Sequence, residues 1–195
     1  MMIITTEMDL FKQKILSTIS VDISEMNQIL SAFNSIKVDK GGNIIKENTV
    51  CNHYYFLEKG LLRFVYHHEA IEETSWVIVE GAFFTEIVSM KSKEKTKMSL
   101  EALEPSIVLS IDESTLNKLC NKVKSFERYL RLTWEENLHH VIEMKLLQQF
   151  SSAKERYEML IKNKELMQRI PQKYLASILG ITPYSLSRLK SPKKS

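Results

Sequence analysis

The side chains best suited to chemistry lie in the last quarter of the chain. Arginine can donate two parallel hydrogen bonds to a guanine edge or a phosphate, and hydroxyl groups can add single bonds to phosphate oxygens. The residues expected to contact DNA are Gln172, Lys173, Thr182, Pro183, Tyr184, Ser185, Ser187, Arg188 and Lys190. Their types predict nucleic-acid contact rather than catalysis.

Two short helices joined by a tight turn are predicted to display these groups. Pro171 is expected as the first residue of the first helix, because its fixed φ suits that position and its missing N–H is not needed there. Apolar residues then recur at three- and four-residue spacing, which gives the helix one apolar face. Gly180 allows the positive φ of a turn, and Thr182 followed by Pro183 is typical of a helix start.

The helix pair has the residue spacing of a helix-turn-helix, in which the second helix enters the DNA major groove. Ala176 is followed four residues later by Gly180 and six residues after that by Leu186. An ordinary corner between two helices would show a similar pattern. Residues 145–195, however, carry 11 Lys and Arg against 3 Asp and Glu, a net charge of +8, whereas the whole chain carries +3. A basic end on an acidic body favours phosphate contact over a solvated tail.

The histidines offer a metal site as the alternative chemistry. His67 and His68 are neighbours on a predicted strand, so they point to opposite faces and cannot share one ion. Glu136 and His140 lie one helical turn apart and could bind a metal together, but a solvated helix face is the interpretation we favour. The sequence contains no P-loop, nucleophile elbow or dinucleotide fingerprint. We therefore expect no catalytic residues, no metal site and no cofactor.

The cysteines and the hydropathy indicate where the protein works. Cys51 and Cys120 are too few and too far apart in sequence to form a zinc or iron–sulfur site alone, which favours a reduced, cytoplasmic setting. No apolar run approaches the roughly 20 residues that span a bilayer, and the first ten residues lack the pattern of a secretion signal. The sequence thus predicts a cytoplasmic protein without a membrane partner.

Three segments must position the candidate residues, in an α+β fold. Residues 1–124 begin with two helices between about Thr5 and Phe33, the second capped by Ser24. Short β-prone runs separated by turns follow, and they predict an antiparallel β-roll of the jelly-roll type, closed by a helix over 112–123. The runs are 43–46, 53–58, 61–67, 73–79, 97–102 and 107–111. One long helix covers residues 125–150, and residues 151–195 form the C-terminal helical segment.

The long helix is predicted to pair with a second copy of the chain. Its apolar stripe is too long for one small domain to cover. The residues expected at this homodimer interface are Leu130, Trp134, Asn137, Leu138 and Val141. Asn137 could set the register of the pair or be an ordinary exposed amide. Ser152 and Glu155 form a capping box, which predicts a new helix and a hinge near Ser151.

This order of parts resembles the Crp/Fnr family of bacterial transcription regulators, over nearly the whole chain. The stretch YYFLEKGLLRFVY at 54–66 is similar to the family's hairpin around a turn glycine, and EGAFFTEIVSM at 80–90 to its phosphate-cassette region. IPQKYLASILGITPYSLSRLK at 170–190 looks like the version found in Bacteroidetes members. The resemblance implies a cyclic-nucleotide-binding-like β-roll, a dimerisation helix and a C-terminal (winged) helix-turn-helix. It also implies DNA, a second copy of the chain and RNA polymerase as partners.

The residues of the implied ligand pocket depart from the family pattern. Members that bind cyclic nucleotides use a Gly-Glu pair for the ribose and an Arg followed by Ser or Thr for the phosphate. This chain has Thr85-Glu86 and Thr96-Lys97 in those regions, and a lysine cannot bind a phosphate bidentately as arginine does. We therefore expect no response to cAMP, and an unidentified small-molecule effector if there is one. Glu86 could equally be a structural carboxylate. The candidate ligand-binding residues are Arg63, Trp76, Thr85, Glu86, Thr96, Lys97 and Trp134.

The implied recognition helix departs from the family as well. Arg188 matches the arginine that members direct at a guanine edge. Pro183 and Tyr184 stand where the best-known members carry Arg and Glu, so the preferred bases should differ. The sequence therefore predicts a homodimeric regulator that binds palindromic DNA, in which a signal in the β-roll changes the spacing of the recognition helices. A small-molecule or cyclic-nucleotide sensor whose DNA binding is secondary remains an alternative, as does a regulator that has lost its effector pocket.

Overall fold

The computed structural model describes residues 8–68 and 71–190, with only the backbone at Ile71. The part of the predicted first helix before Met8 and the last five residues of the C-terminal segment lie outside this range. The helices are α1 (Asp9–Thr18), α2 (Ile23–Ser31), α3 (Ile87–Ser92), α4 (Glu113–Lys122), α5 (Lys124–Phe150), α6 (Ala153–Leu160), α7 (Lys164–Arg169), α8 (Gln172–Ile178) and α9 (Pro183–Lys190). The strands are β1 (Asn34–Val38), β2 (Asn43–Ile45), β3 (His53–Lys59), β4 (Leu62–His68), β5 (Ile71–Ile78), β6 (Phe83–Phe84), β7 (Met98–Ala102) and β8 (Ser106–Asp112).

The strands form an antiparallel β-roll with flanking helices, so the predicted α+β fold and β-roll are confirmed. Over the described residues, one sheet has the strand order β1-β8-β3-β6 and the other β2-β7-β4-β5. Successive side chains of a strand point to opposite faces of its sheet. In β4, Leu62 and Phe64 therefore point into the roll, whereas Arg63 points to the outer surface.

The pairing of β4 with β7 determines which residues share an end of the roll. Leu62 pairs with Ala102 at one end of this ladder, and Tyr66 pairs with Met98 at the other. The turns before β4 and after β7 therefore lie together. The opposite end leads from β7 back toward α3.

The core of the roll is closed by the first helix and by the start of α5. Phe11 is fully buried, and its ring centroid lies 4.8 Å from that of Phe33 and 4.6 Å from that of Phe56. The side chain of Met8, at the start of α1, makes no capping hydrogen bond. Instead, the carboxylate of Glu58 on β3 accepts hydrogen bonds from the backbone N–H groups of Leu10 and Phe11, at 2.6 and 3.0 Å. This distant side chain satisfies N–H groups that the helix itself cannot.

One predicted helix cap is confirmed, a second is wrong, and the predicted wing is not found in the described residues. The capping box of Ser152 and Glu155 begins α6 as expected. The predicted cap Ser24 is wrong, because Asp22 caps α2 in a reciprocal box with Glu25. Residues 113–190 contain helices and no strand, so the wing expected beside the C-terminal helix pair is not found in this range. The short elements β1, β6, α3 and α7 were not predicted from the sequence.

Helix α5 changes character along its length. Phe126, Tyr129 and Leu130 are buried near its start. Farther along, large apolar side chains are about half exposed or more. These are Leu138, Val141, Ile142, Leu146 and Phe150, with exposed fractions of 49–75%. Its second half therefore carries an apolar stripe that the described part of the same chain leaves largely uncovered.

Candidate functional site

Helices α8 and α9 are joined by a tight turn whose residues act largely as the sequence predicts. Gly180 has a φ of +66°, and the Thr182 hydroxyl accepts a hydrogen bond from the backbone N–H of Ser185 at 3.1 Å. Pro183 is the first residue of α9. Pro171 is the cap of α8 rather than its first residue, since its ψ of 142° is not helical. The prediction for Pro171 is therefore wrong by one position.

The predicted DNA-contacting side chains share the outer surface of this helix pair. Leu186 is 1% exposed and packs underneath α9. The exposed residues are Gln172, Lys173, Thr182, Pro183, Tyr184, Ser187, Arg188 and Lys190. Ser185 is half-buried, with its hydroxyl 3.0 Å from that of Thr182. The guanidinium of Arg188 lies 6.0 Å from the centroid of the Tyr184 ring, so a cationic and an aromatic group stand side by side on α9.

The opposite side of the helix pair packs on the β-roll. The Ser177 hydroxyl accepts a hydrogen bond from the Thr74 backbone N–H at 2.9 Å and donates one to the Thr74 carbonyl oxygen at 3.2 Å. The ring of Tyr174 lies under the Arg63 guanidinium, 3.8 Å from its centroid. Nothing in the sequence pointed to Ser177, because its partner is 103 residues away.

Arg63 is engaged at this outer surface, between the β-roll and α8. It is 3% exposed and donates hydrogen bonds to Thr74, Glu101 and Glu72, at 2.9, 2.5 and 2.5 Å respectively. The hydrogen bond and charge of Arg63 hold the pKa of Glu72 below its ordinary value despite partial burial. An arginine held by two carboxylates and an aromatic ring can join the roll to α8.

Three of the predicted ligand residues do share one cavity. Glu86, Thr96 and Lys97 line a pocket of about 260 Å³ between α3 and the start of β7. The pocket is also lined by Tyr66 and Ser89, and its side chains together bring hydroxyl, carboxylate and ammonium groups into one place. The remaining lining residues are Val88, Ser92, Glu94, Lys95 and Met98. A small polar molecule would find both charges and hydrogen-bonding groups there.

The carboxylate of Glu86 already has partners within this pocket. It is 6% exposed and accepts hydrogen bonds from the backbone N–H groups of Val88 and Ser89, both at 3.0 Å. These are the N–H groups at the start of α3 that could otherwise face an anion. Thr96 is also occupied, because its hydroxyl oxygen accepts from the backbone N–H of Met98 at 2.9 Å. The side chain of Lys97 is exposed.

The other predicted ligand residues lie elsewhere in the structure. Thr85 is buried, and its hydroxyl donates to the His53 carbonyl oxygen at 2.8 Å. The ring of Trp134 packs on Phe83 and its neighbours at the side of the core, with a centroid distance of 6.1 Å to Phe83. Trp76 contacts the ring of His140 at 5.3 Å. Three of the seven predicted residues are thus among the ten that line this cavity, and the sequence resemblance could not separate them from neighbouring core residues.

Over the residues that it describes, the structure provides no support for a metal site or a membrane span. The part of the chain that it describes holds no group of three or more His, Cys, Asp or Glu side chains placed to bind one ion. Within the same ranges, no helix has both the length and the apolar character needed to cross a membrane.

Comparison with known proteins identifies the fold of the β-roll. Residues 35–123 match the family model of the cyclic nucleotide-binding domain. The β-roll has the cyclic nucleotide-binding fold. No curated protein sequence matches the chain.

Several solved regulator structures share this fold over most of the chain. A CooA mutant from Carboxydothermus hydrogenoformans is 18% identical, with a TM-score of 0.66 over 83% of this chain and 76% of that one. FixK2 from Bradyrhizobium japonicum is 17% identical, with a TM-score of 0.65 over 80% and 82%. The c-di-GMP responsive global regulator CLP of Xanthomonas campestris is 11% identical, with a TM-score of 0.68 over 86% and 89%. At these identities the likeness establishes a common fold.

Proposed function

We propose that this protein is a sequence-specific DNA-binding transcription regulator of the Crp/Fnr type. The observation that carries the proposal is the exposed polar and cationic surface of α8 and α9, at the end of a chain that begins with a cyclic nucleotide-binding fold. Regulators combine a sensing domain with a DNA-reading element, and this chain has a candidate for each. The proposed division is a β-roll domain over 1–124, a dimerisation helix over 125–150 and a helix-turn-helix domain over 151–195.

In this proposal α9 is the recognition helix and enters the major groove. Arg188 bonds bidentately to a guanine, and Tyr184 near the start of α9 contributes an aromatic edge to the adjoining base. Lys173, Lys190 and the hydroxyl of Thr182 contact phosphates, which position the helix but carry no sequence information. The base preference then depends mainly on Arg188.

The proposed homodimer forms through the second half of α5. Leu138 and Val141 are half exposed or more, together with the apolar residues that follow them toward Phe150, and a second copy would cover this stripe. Leu130 is buried within its own chain, and the Asn137 amide donates to the Phe83 carbonyl oxygen at 2.9 Å. The five residues predicted from the sequence therefore divide into two that are free to pair and three that face their own β-roll. Two recognition helices in such a dimer would read half-sites roughly 34 Å apart on a palindrome.

In this proposal, cAMP does not regulate the protein. Its pocket offers an exposed lysine where a bidentate arginine would be needed, and the Glu86 carboxylate occupies backbone N–H groups at the start of α3. We therefore propose an effector of another chemical class, with RNA polymerase as the downstream partner and the cytoplasm as the site of action.

Selection from a random DNA pool tests the proposal. The full chain should enrich a palindrome, and its affinity should fall steeply as salt rises, because phosphate contacts release counterions. Arg188→Ala should weaken binding to that site by about 5- to 150-fold, the equivalent of about 1–3 kcal/mol, and relax the preference at one base pair of each half-site. Lys12→Ala, which removes an exposed charge from α1, is the control and should bind as the wild type does. Failure to enrich any sequence would refute sequence-specific binding.

The second candidate is a small-molecule or cyclic-nucleotide sensor whose DNA binding is secondary. The match of residues 35–123 to the cyclic nucleotide-binding family and the cavity around Glu86 favour it. Melting the purified protein with saturating cyclic nucleotides separates the candidates, because a ligand present at 100 times its Kd stabilises the fold by about 2.7 kcal/mol. A melting temperature that does not change supports the regulator without a cyclic-nucleotide signal. A rise of several degrees would favour the sensor.

A further inference from the structure

Three turns at one end of the β-roll converge on the guanidinium of Arg169, the last residue of α7. It donates hydrogen bonds to both carboxylate oxygens of Glu80, at 2.7 and 3.0 Å, and to both of Glu104, at 2.6 and 3.3 Å. It also donates to the Gly60 carbonyl oxygen at 3.0 Å. Glu80 follows β5, Glu104 follows β7 and Gly60 precedes β4. One side chain of the C-terminal segment therefore joins three separate turns of the roll.

An apolar cluster surrounds this polar contact. Leu61 and Leu103, from two of the same turns, are buried together with residues of the C-terminal helices rather than with the core of the roll. The helical members of the cluster are Ile170, Leu175, Ala176, Leu179 and Leu186. We call the surface formed by Gly60, Leu61, Glu80, Leu103 and Glu104 the socket. Because the ion pairs of Arg169 are partly desolvated and bordered by apolar side chains, the C-terminal helices have one favourable orientation on the socket. Any displacement of the helices would separate the charges.

A second arginine holds the same helices to the end of the long helix. Arg156 donates to the Leu179 carbonyl oxygen at 2.9 Å, at the end of α8, and to the carbonyl oxygen of Ser151, where α5 ends. The C-terminal helices are thus bound at two points, to the roll through Arg169 and to α5 through Arg156. Two such contacts on different elements determine an orientation, which one contact alone would not.

The socket leaves the outer surface of α9 free. Tyr184 and Arg188 are exposed while Leu175 and Leu179 are buried on the opposite side. A contact that blocked DNA binding would cover the outer residues instead. The socket therefore supports the helices from their buried side and leaves the outer surface of α9 accessible to DNA.

We propose that Arg169 is a positioning residue that determines the spacing of the half-sites this protein reads. This inference rests on the proposed function as a dimeric DNA-binding protein. The socket holds the C-terminal helices on the β-roll, Arg156 holds them to the end of α5, and in the proposed dimer α5 of each subunit pairs with its counterpart. The separation of the two recognition helices in the dimer is therefore a consequence of the Arg169 contact. Specificity of this kind requires rigid support behind the reading residues.

The test compares operators that carry the selected half-sites but differ by one or two base pairs in the spacer between them. Wild-type protein should bind one spacer best. Arg169→Gln should reduce the affinity ratio between the best spacer and its neighbours by roughly tenfold or more, because it removes the charge from four hydrogen bonds to carboxylate oxygens and the loss of one such bond is worth about that factor. Its salt dependence and its preferred bases should not change, because Arg169 contacts neither phosphate nor base. Arg169→Lys, which keeps the charge, should retain part of the ratio.

A variant destabilised elsewhere separates positioning from general stability. Ile29→Ala removes a fully buried side chain of α2, away from the socket, and should keep the wild-type spacer preference. Glu104→Gln removes one carboxylate only and replaces Arg169→Gln if that variant does not fold. An unchanged spacer ratio in the socket variant, with equal loss at every spacer, would show that Arg169 is merely structural and overturn the inference. Wild-type protein that binds no palindrome would instead overturn the proposed function itself.

Discussion

Replacing Leu61 with alanine tests whether the C-terminal helices are packed on the β-roll in solution. Leu61 lies directly after the turn at Gly60, at the end of the roll, yet its side chain is fully buried. The residues that bury it include Leu103 of the roll and Ile170 and Leu175 of the helices. If the helices were only tethered to the roll, this side chain would stand in water. Replacing it with alanine therefore measures the contact.

The expected loss follows from the burial. Leu-to-Ala replacement at a fully buried site costs about 2–5 kcal/mol, as transfer free energy plus the cavity that remains. For a chain of this size, each kcal/mol changes the melting temperature by about 2–4 °C, so Leu61→Ala should melt about 4–20 °C below the wild type. Val79→Ala is the matched control in a neighbouring turn. Since Val79 is 39% exposed, its replacement should cost no more than about 0.5 kcal/mol.

Urea denaturation followed by circular dichroism measures both variants. The wild type should unfold in a single transition, because the helices and the roll share the cluster around Leu61. Leu61→Ala should have a lower midpoint with a similar slope. A loss no larger than that of Val79→Ala, or a C-terminal segment that unfolds in a separate transition, would refute the packed arrangement.

Two further predictions concern the socket. Gly60 has a φ of +108°, and a Cβ there would lie 2.1 Å from the Ser106 hydroxyl oxygen. Gly60→Ala should therefore lower the free energy of unfolding by about 2–5 kcal/mol in urea denaturation, because backbone strain and overpacking add. The control Gly41→Ala, at a φ of +82° with no atom within 4 Å of the added Cβ, should cost only about 1–2 kcal/mol, and equal losses for the two would contradict the reasoning. Burial alone would raise the pKa of Glu80, but hydrogen bonds from Arg169 and the backbone outweigh it and hold the pKa below its ordinary 4.5. The ionised Glu80 carboxylate therefore stabilises the fold fully above about pH 4.5, and this contribution is lost as the pH falls through its lowered pKa in the folded state. The difference in free energy of unfolding between wild type and Glu80→Gln should accordingly be constant from about pH 6 to pH 8 and shrink in more acid solution. A difference that persists unchanged to about pH 3 would rule out this carboxylate as the titrating group.

Features that depend on neighbours in sequence were predictable. The strands of the roll, the long helix and the turn at Gly180 follow from apolar spacing and from residues with special backbone preferences. The capping box at Ser152 is local too, since its donor and acceptor are three residues apart. The error at Ser24 is of the same local kind. Asp22 and Ser24 are both good caps, and Glu25 lies at the position that completes a box only with Asp22.

Short elements escaped prediction because their residues show no pattern of their own. The side chains of β1 are mostly exposed, so no alternation of apolar and polar residues marks the strand. Strand β6 has two residues, Phe83 and Phe84, and it exists because they pair with Phe56 and Tyr55 of β3. A pairing partner that lies 27 residues or more away leaves no periodic signal in either segment.

The candidate sites divide along the same line. Residue types and spacing alone were enough to group the residues of the proposed reading surface, because Arg188, Tyr184 and Lys190 lie on one short helix whose buried side is marked by Leu186. The partners of buried charges could not be located in this way. Glu58 accepts a hydrogen bond at the start of α1, and the Arg63 guanidinium stacks on Tyr174. Residues 80 and 104 both bind Arg169. In each case the partners are dozens of residues apart in the chain. A charge removed from water must be met by an opposite charge or a hydrogen-bonding group. Which group meets it depends on how the strands and helices come together in space, and the linear order of residues does not contain that information.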